Sequence, residues 1–475
     1  MATQVRTLRS IDPASGELIE EFEPMGATQV DEIVGGADGA FRDWRTRSFT
    51  DRATLMKRAA TLLRSDCERL AAVITAEMGK TLAESRAEVE KCAFCCDWYA
   101  EHAEEFLADV AAPSDSPRSF VAFAPIGVVL AVMPWNFPLW QVFRFAAPGL
   151  MAGNTAVLKH AANVSRCALE IESVLRRAGF PDGVFRTLLI PGGDVERVIT
   201  DPRIRAVTLT GSDSTGSAVA AAAGEHIKKT VLELGGSDAF IVLEDADVAE
   251  AARVGVKSRF QNCGQSCIAA KRFIVVEGVA GEFEQCLVEE AQRIVVGDPR
   301  DERTTMGPMA REDLREALED QLRRSLAEGA HLATGGHRLD ERGWYFEPTV
   351  VTGCTAENTA FREETFGPLA AVMRVRDAEQ AIEVANASKY GLGGNLWTRD
   401  VERGIALARR IDTGGVFLNG MTHSDPRLPF GGVKRSGYGR ELSSFGIREF
   451  VNVQTIWVAD DDGQNSDGRG GAAVE

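Results

Sequence analysis

The feature that most constrains the fold is an alternation of short apolar runs with helical patterns through the middle of the chain. The runs include GVVLAVM, NTAVLK, RAVTLT and AFIVL, and longer stretches such as SRCALEIESVLRRAG separate them. This alternation is typical of strand–helix–strand units, whose strands pair in parallel. A second alternation begins with KRFIVVEG. We therefore predict two α/β domains that divide near Gly235 and Gly236, preceded by helices from about residue 30 to residue 110.

Length and charge narrow the classes of protein that remain. The chain has 475 residues, enough for two to four domains at roughly 100–200 residues each. It carries 53 basic and 70 acidic residues, and the resulting net charge of −17 disfavours binding to nucleic acid or to an anionic membrane surface. The N-terminal sequence has no apolar segment typical of a secretory signal, so we expect a cytoplasmic protein.

One segment is long enough to cross a membrane. Residues 119–143 contain no charged side chain, a length that a bilayer-spanning helix needs. Pro125, Pro134 and Pro138 lie inside the segment, and prolines at this density break a helix. The segment is therefore predicted to form strands and a loop, and we expect no membrane partner.

The nine cysteines are too few for a disulfide scaffold and indicate a reducing compartment. Cys92, Cys95 and Cys96 are the densest group, and they lie in a helical pattern. Packing on a buried helix face is favoured over a metal site, because a structural zinc needs four ligands and no second pair of cysteines is near. We expect no metal.

Two glycine-containing turns hold candidate functional residues. The segment TLTGSDSTG follows an apolar strand and opens an Ala-rich helix. Gly211, Ser212 and Gly216 could thus hold a phosphate group at a helix N-terminus, or they could simply form a capped turn. The second turn, FQNCGQSC, ends at Cys267. That residue is either an exposed nucleophilic thiol or a small buried side chain.

Glu233 and Asn136 are two further candidate functional residues, and each lies at the end of a predicted strand. Glu233 lies among apolar residues at a strand end, where burial would raise its pKa towards the range of a general base. The alternative is a strand-edge carboxylate that faces water. Asn136 lies between two prolines after a strand, and its amide could stabilise an oxyanion or only hold a turn.

As a set, these motifs resemble those of the NAD(P)-dependent aldehyde dehydrogenase superfamily. The order along the chain is PWNFP at 134–138, ELGG at 233–236, the turn ending at Cys267, EETFGP at 363–368 and PFGG at 429–432. The resemblance covers nearly the whole chain. It implies that Cys267 attacks an aldehyde, that Asn136 and the Cys267 N–H hold the oxyanion, and that Glu233 activates water to release a carboxylic acid.

The resemblance also implies a dinucleotide cofactor. Glu364 matches the residue that binds the nicotinamide ribose, Ser212 a pyrophosphate contact and Lys159 the residue that reaches the adenosine ribose. Many NAD-specific members carry a glutamate three residues after that lysine, whereas this chain has Ala162. We therefore predict that NADP is accepted and slightly favoured over NAD. The cofactor-binding residues are expected to be Trp135, Lys159, Gly211, Ser212, Gly216, Glu364 and Phe366.

Other segments are similar to the bacterial succinate-semialdehyde dehydrogenase subgroup of this family. Arg144 stands where that subgroup often has a substrate-binding arginine, which matches a carboxylate with two hydrogen bonds. It could instead bridge its helix to solvent. A second arginine of some members is replaced by Gln261, and Ser424 could supply a further hydrogen bond. Arg144, Gln261 and Ser424 are therefore the predicted substrate-binding residues.

The implied fold is α/β, with a Rossmann-type cofactor domain, an α/β catalytic domain and a small β oligomerisation arm. The resemblance assigns residues 1–113 and 132–233 to the first, residues 234–420 to the second, and 114–131 and 440–460 to the arm. Residues 461–475 are predicted to be a disordered tail, and the assembly a homodimer or homotetramer. Alternatives are an aldehyde dehydrogenase of broader aliphatic or aromatic specificity, a thiol hydrolase, and a non-catalytic protein that keeps the fold.

Overall fold

The computed structural model describes residues 7–339 and 342–459. The predicted disordered tail lies outside the described residues. The helices are α1 (Ala27–Trp44), α2 (Phe49–Ser65), α3 (Cys67–Met78), α4 (Leu82–Phe106), α5 (Trp140–Met151), α6 (Ser165–Ala178), α7 (Val195–Thr200), α8 (Asp213–Glu225), α9 (Val248–Phe260), α10 (Glu277–Gln292), α11 (Glu312–Ala327), α12 (Thr359–Arg362), α13 (Ala378–Asn386), α14 (Val401–Ala408) and α15 (Ser443–Ile447).

The strands are β1 (Leu8–Ile11), β2 (Leu18–Phe22), β3 (Val110–Ala111), β4 (Arg118–Pro125), β5 (Val128–Met133), β6 (Thr155–His160), β7 (Phe185–Thr187), β8 (Ile204–Thr210), β9 (Lys229–Glu233), β10 (Asp238–Val242), β11 (Ala270–Val276), β12 (His331–Thr334), β13 (Thr349–Thr352), β14 (Leu369–Val375), β15 (Tyr390–Gly391), β16 (Gly394–Trp397), β17 (Val416–Leu418), β18 (Val433–Lys434), β19 (Gly437–Tyr438) and β20 (Val451–Val458). These strands form two large sheets, a three-stranded antiparallel sheet and two antiparallel pairs, β1-β2 and β15-β18.

The N-terminal helices form where the sequence predicts them. Helix α4 begins with a capping box, in which the Thr81 hydroxyl accepts from the Glu84 N–H and the Glu84 side chain accepts from the Thr81 N–H. Its cysteines Cys92, Cys95 and Cys96 are fully buried against α5 and its neighbours. The prediction that these thiols pack on a buried helix face is confirmed. The β1–β2 pair, by contrast, was not predicted.

The first large sheet has the order β19-β9-β8-β5-β6-β7. Its strands are parallel except β19, which pairs antiparallel to β9. The chain runs outward from β5 through β6 to β7 on one side, and β8 and β9 lie on the other. The boundary between β5 and β8 is thus a topological switch point, at whose carboxyl end α/β proteins bind their ligands.

The second large sheet has the order β12-β13-β14-β11-β10-β16-β17. Only β12 is antiparallel to its neighbour. The central strand β11 is buried along its whole length, as expected for a parallel strand that helices cover on both faces. The two predicted strand–helix alternations therefore form two separate parallel sheets, each with its own apolar core.

A third sheet has the order β20-β4-β3, with antiparallel pairing throughout. The predicted arm boundaries 114–131 need correction here, because β5 begins at Val128 and pairs in the first large sheet, whereas β3, at Val110–Ala111, joins the arm. The uncharged run continues through both β4 and β5, and the break between them falls at Ile126 and Gly127. Gly127 makes the break with a φ of 135°, in a region that favours glycine.

The uncharged segment 119–143 forms β4, β5, a loop and the first residues of α5. The prediction of strands and a loop is confirmed. No helix within the described residues is both long and apolar enough to span a membrane.

Candidate active site

Two pockets meet at Cys267. The first, which we call the sheet pocket, has a volume of about 250 Å³ and lies at the carboxyl ends of β5, β8 and β9. The second, which we call the basic pocket, has a volume of about 90 Å³ and contains Lys91 and Arg144. Cys267 and Gln141 line both pockets. A reagent in either pocket can therefore reach the same thiol.

A strained turn places Cys267 at this junction. Asn262 and Cys263 have φ values of 54° and 52°, in the left-handed region that few non-glycine residues adopt. Gly264 follows with a φ of 71°, and a Cβ there would lie 2.4 Å from the Gly367 carbonyl oxygen. Non-glycine strain of this kind persists only where surrounding contacts hold it, and it clusters at functional sites.

Buried polar groups hold the turn in place. The Asn262 N–H donates to Glu84 Oε1 at 2.6 Å, and its Nδ2 donates to the Asn136 carbonyl at 2.9 Å. Lys271 Nζ donates to the carbonyl oxygens of Ser266 and Cys267, each at 2.8 Å. These bonds fix the backbone on both sides of the thiol. The turn therefore presents Cys267 without the freedom of an ordinary loop.

The electrostatic surroundings of the thiol favour its protonated form. Burial raises the pKa of Cys267 well above its usual value, and the nearby Glu233 charge raises it further. The positive charges of Arg144 and Lys271 act in the opposite direction. Because the thiolate is the nucleophile, the site needs a base close to Cys267.

Glu233 is placed to act as that base. It ends β9, is only 1% exposed, and its Oε2 accepts a hydrogen bond from Arg144 Nη2 at 3.0 Å. Its Oε1 is buried with no hydrogen-bond partner in the described part of the chain. Arg144 thus fixes one carboxylate oxygen, and the other is left free to accept a proton in the sheet pocket.

Arg144 has a second carboxylate partner. Its Nε lies 2.6 Å from Glu441 Oε2, and the side chain is 2% exposed. The alternative in which Arg144 bridges its helix to solvent is wrong, because α5 is buried along its length. Burial raises the pKa of Glu441 to about 7, and the Arg144 charge opposes that rise.

Asn136 lies in the sheet pocket with Cys267 and Glu233. It follows β5, is buried, and lines the sheet pocket beside Cys267. Its Nδ2 donates to the Gln265 carbonyl at 3.1 Å, which leaves the second N–H of the amide for another acceptor. The structure therefore brings together all three residues predicted to be catalytic, Cys267, Glu233 and Asn136.

Most of the predicted cofactor residues also line the sheet pocket. Trp135 and Phe366 form an edge-to-face pair with centroids 5.8 Å apart, and Glu364 accepts from the Gly236 N–H at 3.0 Å. Gly211 and Ser212 lie at the N-terminus of α8, where Ser212 accepts from the Thr215 N–H. This arrangement of aromatic walls, free helix N–H groups and a switch point fits a dinucleotide.

Two predicted cofactor residues lie elsewhere. Gly216 is inside α8, where a Cβ would lie 2.5 Å from Leu234, so it permits close packing of α8 on β9. Lys159 is on β6 and lines a separate open pocket with Ala162 and Asn163. Burial lowers the pKa of Lys159. A cofactor that occupies both this pocket and the sheet pocket would have to be bound in an extended conformation.

The three predicted substrate residues, Arg144, Gln261 and Ser424, all line the basic pocket. Lys91 lines it as well, and its Nζ donates to Ser424 Oγ at 2.9 Å. Sequence reasoning missed this residue. The sequence did indicate that Lys91 is buried, because it lies four positions before Cys95 and so shares a helix face with that predicted core residue.

Glu441 and Lys271 were missed too, for different reasons. Lys271 stands with Arg272 in a strand, β11, that is otherwise apolar, and charges in such a run indicate buried partners. Its partner is Glu364, at 3.5 Å. Glu441 lies in a polar segment far along the chain and has no such signal; only the fold brings it to Arg144.

The fold and this cluster define a class of enzyme that combines a cysteine nucleophile with a dinucleotide-binding α/β domain. The chain belongs to the aldehyde dehydrogenase family, whose model matches residues 1–456. The resemblance inferred from the sequence is confirmed, as is the α/β fold.

Curated relatives are similar over almost their whole length. The protein of Mycobacterium avium named succinate-semialdehyde dehydrogenase, NADP(+), is 48% identical to this chain, and the alignment covers 98% of this chain and 100% of that protein. A Mycobacterium tuberculosis protein with the same enzyme name is 49% identical over 95% of this chain and all of its own. A solved structure of succinic semialdehyde dehydrogenase from Streptococcus pyogenes, in complex with NADP+, superposes with a TM-score of 0.93 at 38% identity, covering 95% of this chain and 100% of that one.

Proposed function

We propose that the protein oxidises succinate semialdehyde to succinate with NADP+ as the preferred cofactor. The observation that carries the proposal is the placement of Cys267 between the sheet pocket and the basic pocket. The relatives named above support the choice of aldehyde and cofactor. Ala162 supports the cofactor choice independently, because it stands where many NAD-specific members carry a glutamate that would repel a 2′-phosphate.

The first chemical step is attack of the thiol on the aldehyde. Glu233 Oε1 accepts the thiol proton, and the sulfur adds to the carbonyl carbon to form a thiohemiacetal. The negative charge on the former carbonyl oxygen is stabilised by the Asn136 amide and the Cys267 N–H. Both donors are preorganised by the strained turn and by the hydrogen bonds that hold it.

The sheet pocket would hold the nicotinamide end of the cofactor between Trp135 and Phe366, with Glu364 beside its ribose. When bound there, the cofactor supplies the acceptor for the hydride that leaves the thiohemiacetal carbon. Gly235 permits this role for Glu364, since a Cβ would lie 2.4 Å from its Oε2. What remains on Cys267 is a thioester.

The last step is hydrolysis of the thioester. Glu233 first releases the thiol proton to solvent and then removes a proton from water through Oε1, while Arg144 holds Oε2. The water attacks the thioester carbonyl, the same two N–H donors stabilise the oxyanion, and the acid leaves as Cys267 recovers a proton. Splitting the oxidation in this way replaces one difficult step by two easier ones.

The three larger sheets are proposed to have different roles. The first large sheet is the cofactor domain, the second is the catalytic domain, and the β20-β4-β3 sheet is the oligomerisation arm. Exposed apolar side chains on β20, among them Val453 and Trp457, support a homodimer or homotetramer that covers them. A cytoplasmic location is supported by the cysteines, all nine of which are unpaired.

The test is a steady-state assay of an aldehyde panel with NAD+ and NADP+. We expect the highest kcat/KM for succinate semialdehyde with NADP+, and a loss of at least about 10³-fold in Cys267→Ala because the nucleophile is gone. No cofactor reduction with any aldehyde would overturn the reaction. Equal kcat/KM for acidic, aliphatic and aromatic aldehydes would overturn the substrate and favour the enzyme of broader specificity.

A further inference from the structure

Helix α4 contacts both segments that carry the donors of the oxyanion site. Glu84 and Glu88 are one helical turn apart, so they lie on the same face of α4 and about 6 Å from each other along its axis. Glu84 Oε1 accepts from the Asn262 N–H at 2.6 Å, in the turn that ends at Cys267. Glu88 Oε1 accepts from the backbone at the start of α5, the helix that follows Asn136. In the described part of the chain, neither carboxylate lines the sheet pocket or the basic pocket.

Glu88 supplies the cap that the sequence of α5 lacks. The N-cap residue of α5 is Leu139, whose side chain has no hydrogen-bond acceptor. The N–H groups of Leu139 and Trp140 donate instead to Glu88 Oε1, at 2.8 and 2.9 Å. The first turn of a helix leaves N–H groups unpaired and favours a negative charge. The start of α5, four residues after Asn136, is therefore fixed by a carboxylate of α4.

Lys80 neutralises the buried charge of Glu88. Its Nζ donates to Glu88 Oε2 at 2.6 Å, and the two side chains are 0% and 1% exposed. The same Nζ lies 3.8 Å from the centre of the Phe137 ring, and Phe137 directly follows Asn136. A buried cation is attracted to the face of an aromatic ring. The Lys80–Glu88 pair therefore holds the segment after Asn136 at two places, the Phe137 ring and the start of α5.

The two tethered segments also contact each other. Asn262 Nδ2 donates to the Asn136 carbonyl at 2.9 Å, and Asn136 Nδ2 donates to the Gln265 carbonyl at 3.1 Å. The left-handed backbone of Asn262 and Cys263 persists only where surrounding contacts hold it. Displacement of a catalytic group by about 1 Å can cost about 10²-fold in rate. Two carboxylates at a fixed spacing on one helix restrict such displacement.

We propose that α4 positions both halves of the oxyanion site. Glu88, paired with Lys80, is a positioning residue for the Asn136 amide. Glu84 is a positioning residue for the turn that ends at Cys267. This inference rests on the proposed function, in which that amide and the Cys267 N–H stabilise the oxyanion. Loss of either glutamate is therefore expected to lower kcat and to leave KM nearly unchanged.

The test compares two double variants in which both buried charges are removed together. Lys80→Met/Glu88→Gln keeps an acceptor for the start of α5, whereas Lys80→Met/Glu88→Met does not. With succinate semialdehyde and NADP+, we expect kcat to fall about 10- to 100-fold in the variant without the acceptor and less than about fivefold in the other. Both KM values should change less than about threefold. Alkylation of Cys267 by iodoacetamide, which forms no oxyanion, should keep its rate. Lys57→Met/Glu101→Met, which removes an exposed ion pair between α2 and α4, is the matched control.

A double-mutant cycle separates this inference from the function on which it rests. Asn136→Ala alone should lower kcat about 10²- to 10³-fold, and the added Lys80→Met/Glu88→Met change should lower it less than about threefold further. An unchanged kcat in Asn136→Ala overturns the oxyanion step of the proposed function. A full further loss in the combined variant, equal losses in the two double variants, or slowed alkylation of Cys267 overturns the role of Glu88.

Glu84 is tested without touching a buried ion pair, so this test holds even if replacement of that pair unfolds the protein. Glu84→Ala, at a half-buried position, removes the acceptor for the Asn262 N–H. We expect kcat to fall about three- to tenfold with native circular dichroism, and Glu84→Gln, which keeps an acceptor, to restore most of it. An unchanged kcat in Glu84→Ala, or equal losses in the two variants, overturns the role of Glu84.

Discussion

The two pockets that share Cys267 provide for negatively charged ligands in different ways. In the sheet pocket the side-chain charges are already paired, as in Lys271 with Glu364, and an anion would meet the N–H groups at the start of α8. In the basic pocket Lys91 has no carboxylate partner within the described residues. Backbone N–H groups at a helix start approach an anion from fixed directions, whereas an ammonium is a point charge on a flexible stem.

The largest effect is expected at Glu233, which lines the sheet pocket together with Cys267. Glu233→Gln removes the base that both the thiol and the hydrolytic water need, so kcat should fall by about 10²- to 10⁴-fold. Steady-state kinetics with either an acidic or a neutral aldehyde should show the same loss, because Glu233 lines the sheet pocket and acts on the thiol and on water rather than on the far end of the aldehyde. Glu225→Gln, an exposed residue at the end of α8, is the matched control. A loss of less than about threefold would contradict the assignment.

A smaller effect, confined to the cofactor, is expected at Ala162. Ala162→Glu places a carboxylate in the pocket of Lys159, where it would repel a 2′-phosphate and pair with ribose hydroxyls. We expect kcat/KM for NADP+ to fall about 10- to 100-fold relative to that for NAD+. The KM for the aldehyde should not change, and Ala162→Gln, which has the same shape without the charge, should behave much like the unmodified enzyme. Equal losses with both cofactors would argue against NADP+ selection at this position.

The smallest effect depends on pH. The pKa of Glu441 is about 7, so below that pH the side chain is mostly protonated and resembles glutamine. Above it, the carboxylate competes with Glu233 for the Arg144 charge. Glu441→Gln leaves Glu233 as the one carboxylate that Arg144 contacts among the described residues, so kcat should fall about three- to tenfold at pH 8.5 and less than about twofold at pH 6. A ratio that does not vary between these pH values would show that Glu441 is only structural.

The candidate catalytic residues that the structure brings together lie in short, contiguous patterns. Asn136 and Glu233 each stand within a short motif at the carboxyl end of a strand of the first large sheet, whereas Cys267 ends a turn that precedes β11 of the second. Parallel strands bring such ends to one edge of a sheet. Most of the sheet pocket was therefore predictable from the sequence. Lys159 is the exception, because it lines a separate pocket.

The basic pocket was predictable only in part. The sequence analysis identified Arg144, but it did not identify the two carboxylates that neutralise its charge, because Glu233 and Glu441 are far from it along the chain. Lys91 belongs to α4, a helix whose cysteines indicated only that one of its faces is buried. Which polar residue on that face meets Ser424 depends on how α4 packs against the segment before PFGG.

The sequence by itself determined the two strand–helix alternations, the candidate catalytic residues and the family to which the chain belongs. The physical reason is that periodicity and turn chemistry act over a few residues. Only the tertiary structure decided the boundary between β4 and β5, the pairing of Arg144 with two carboxylates, and the unpaired state of Lys91. These features depend on which charges lie within a few ångströms of one another after burial, and buried charges interact strongly with partners that are distant in sequence.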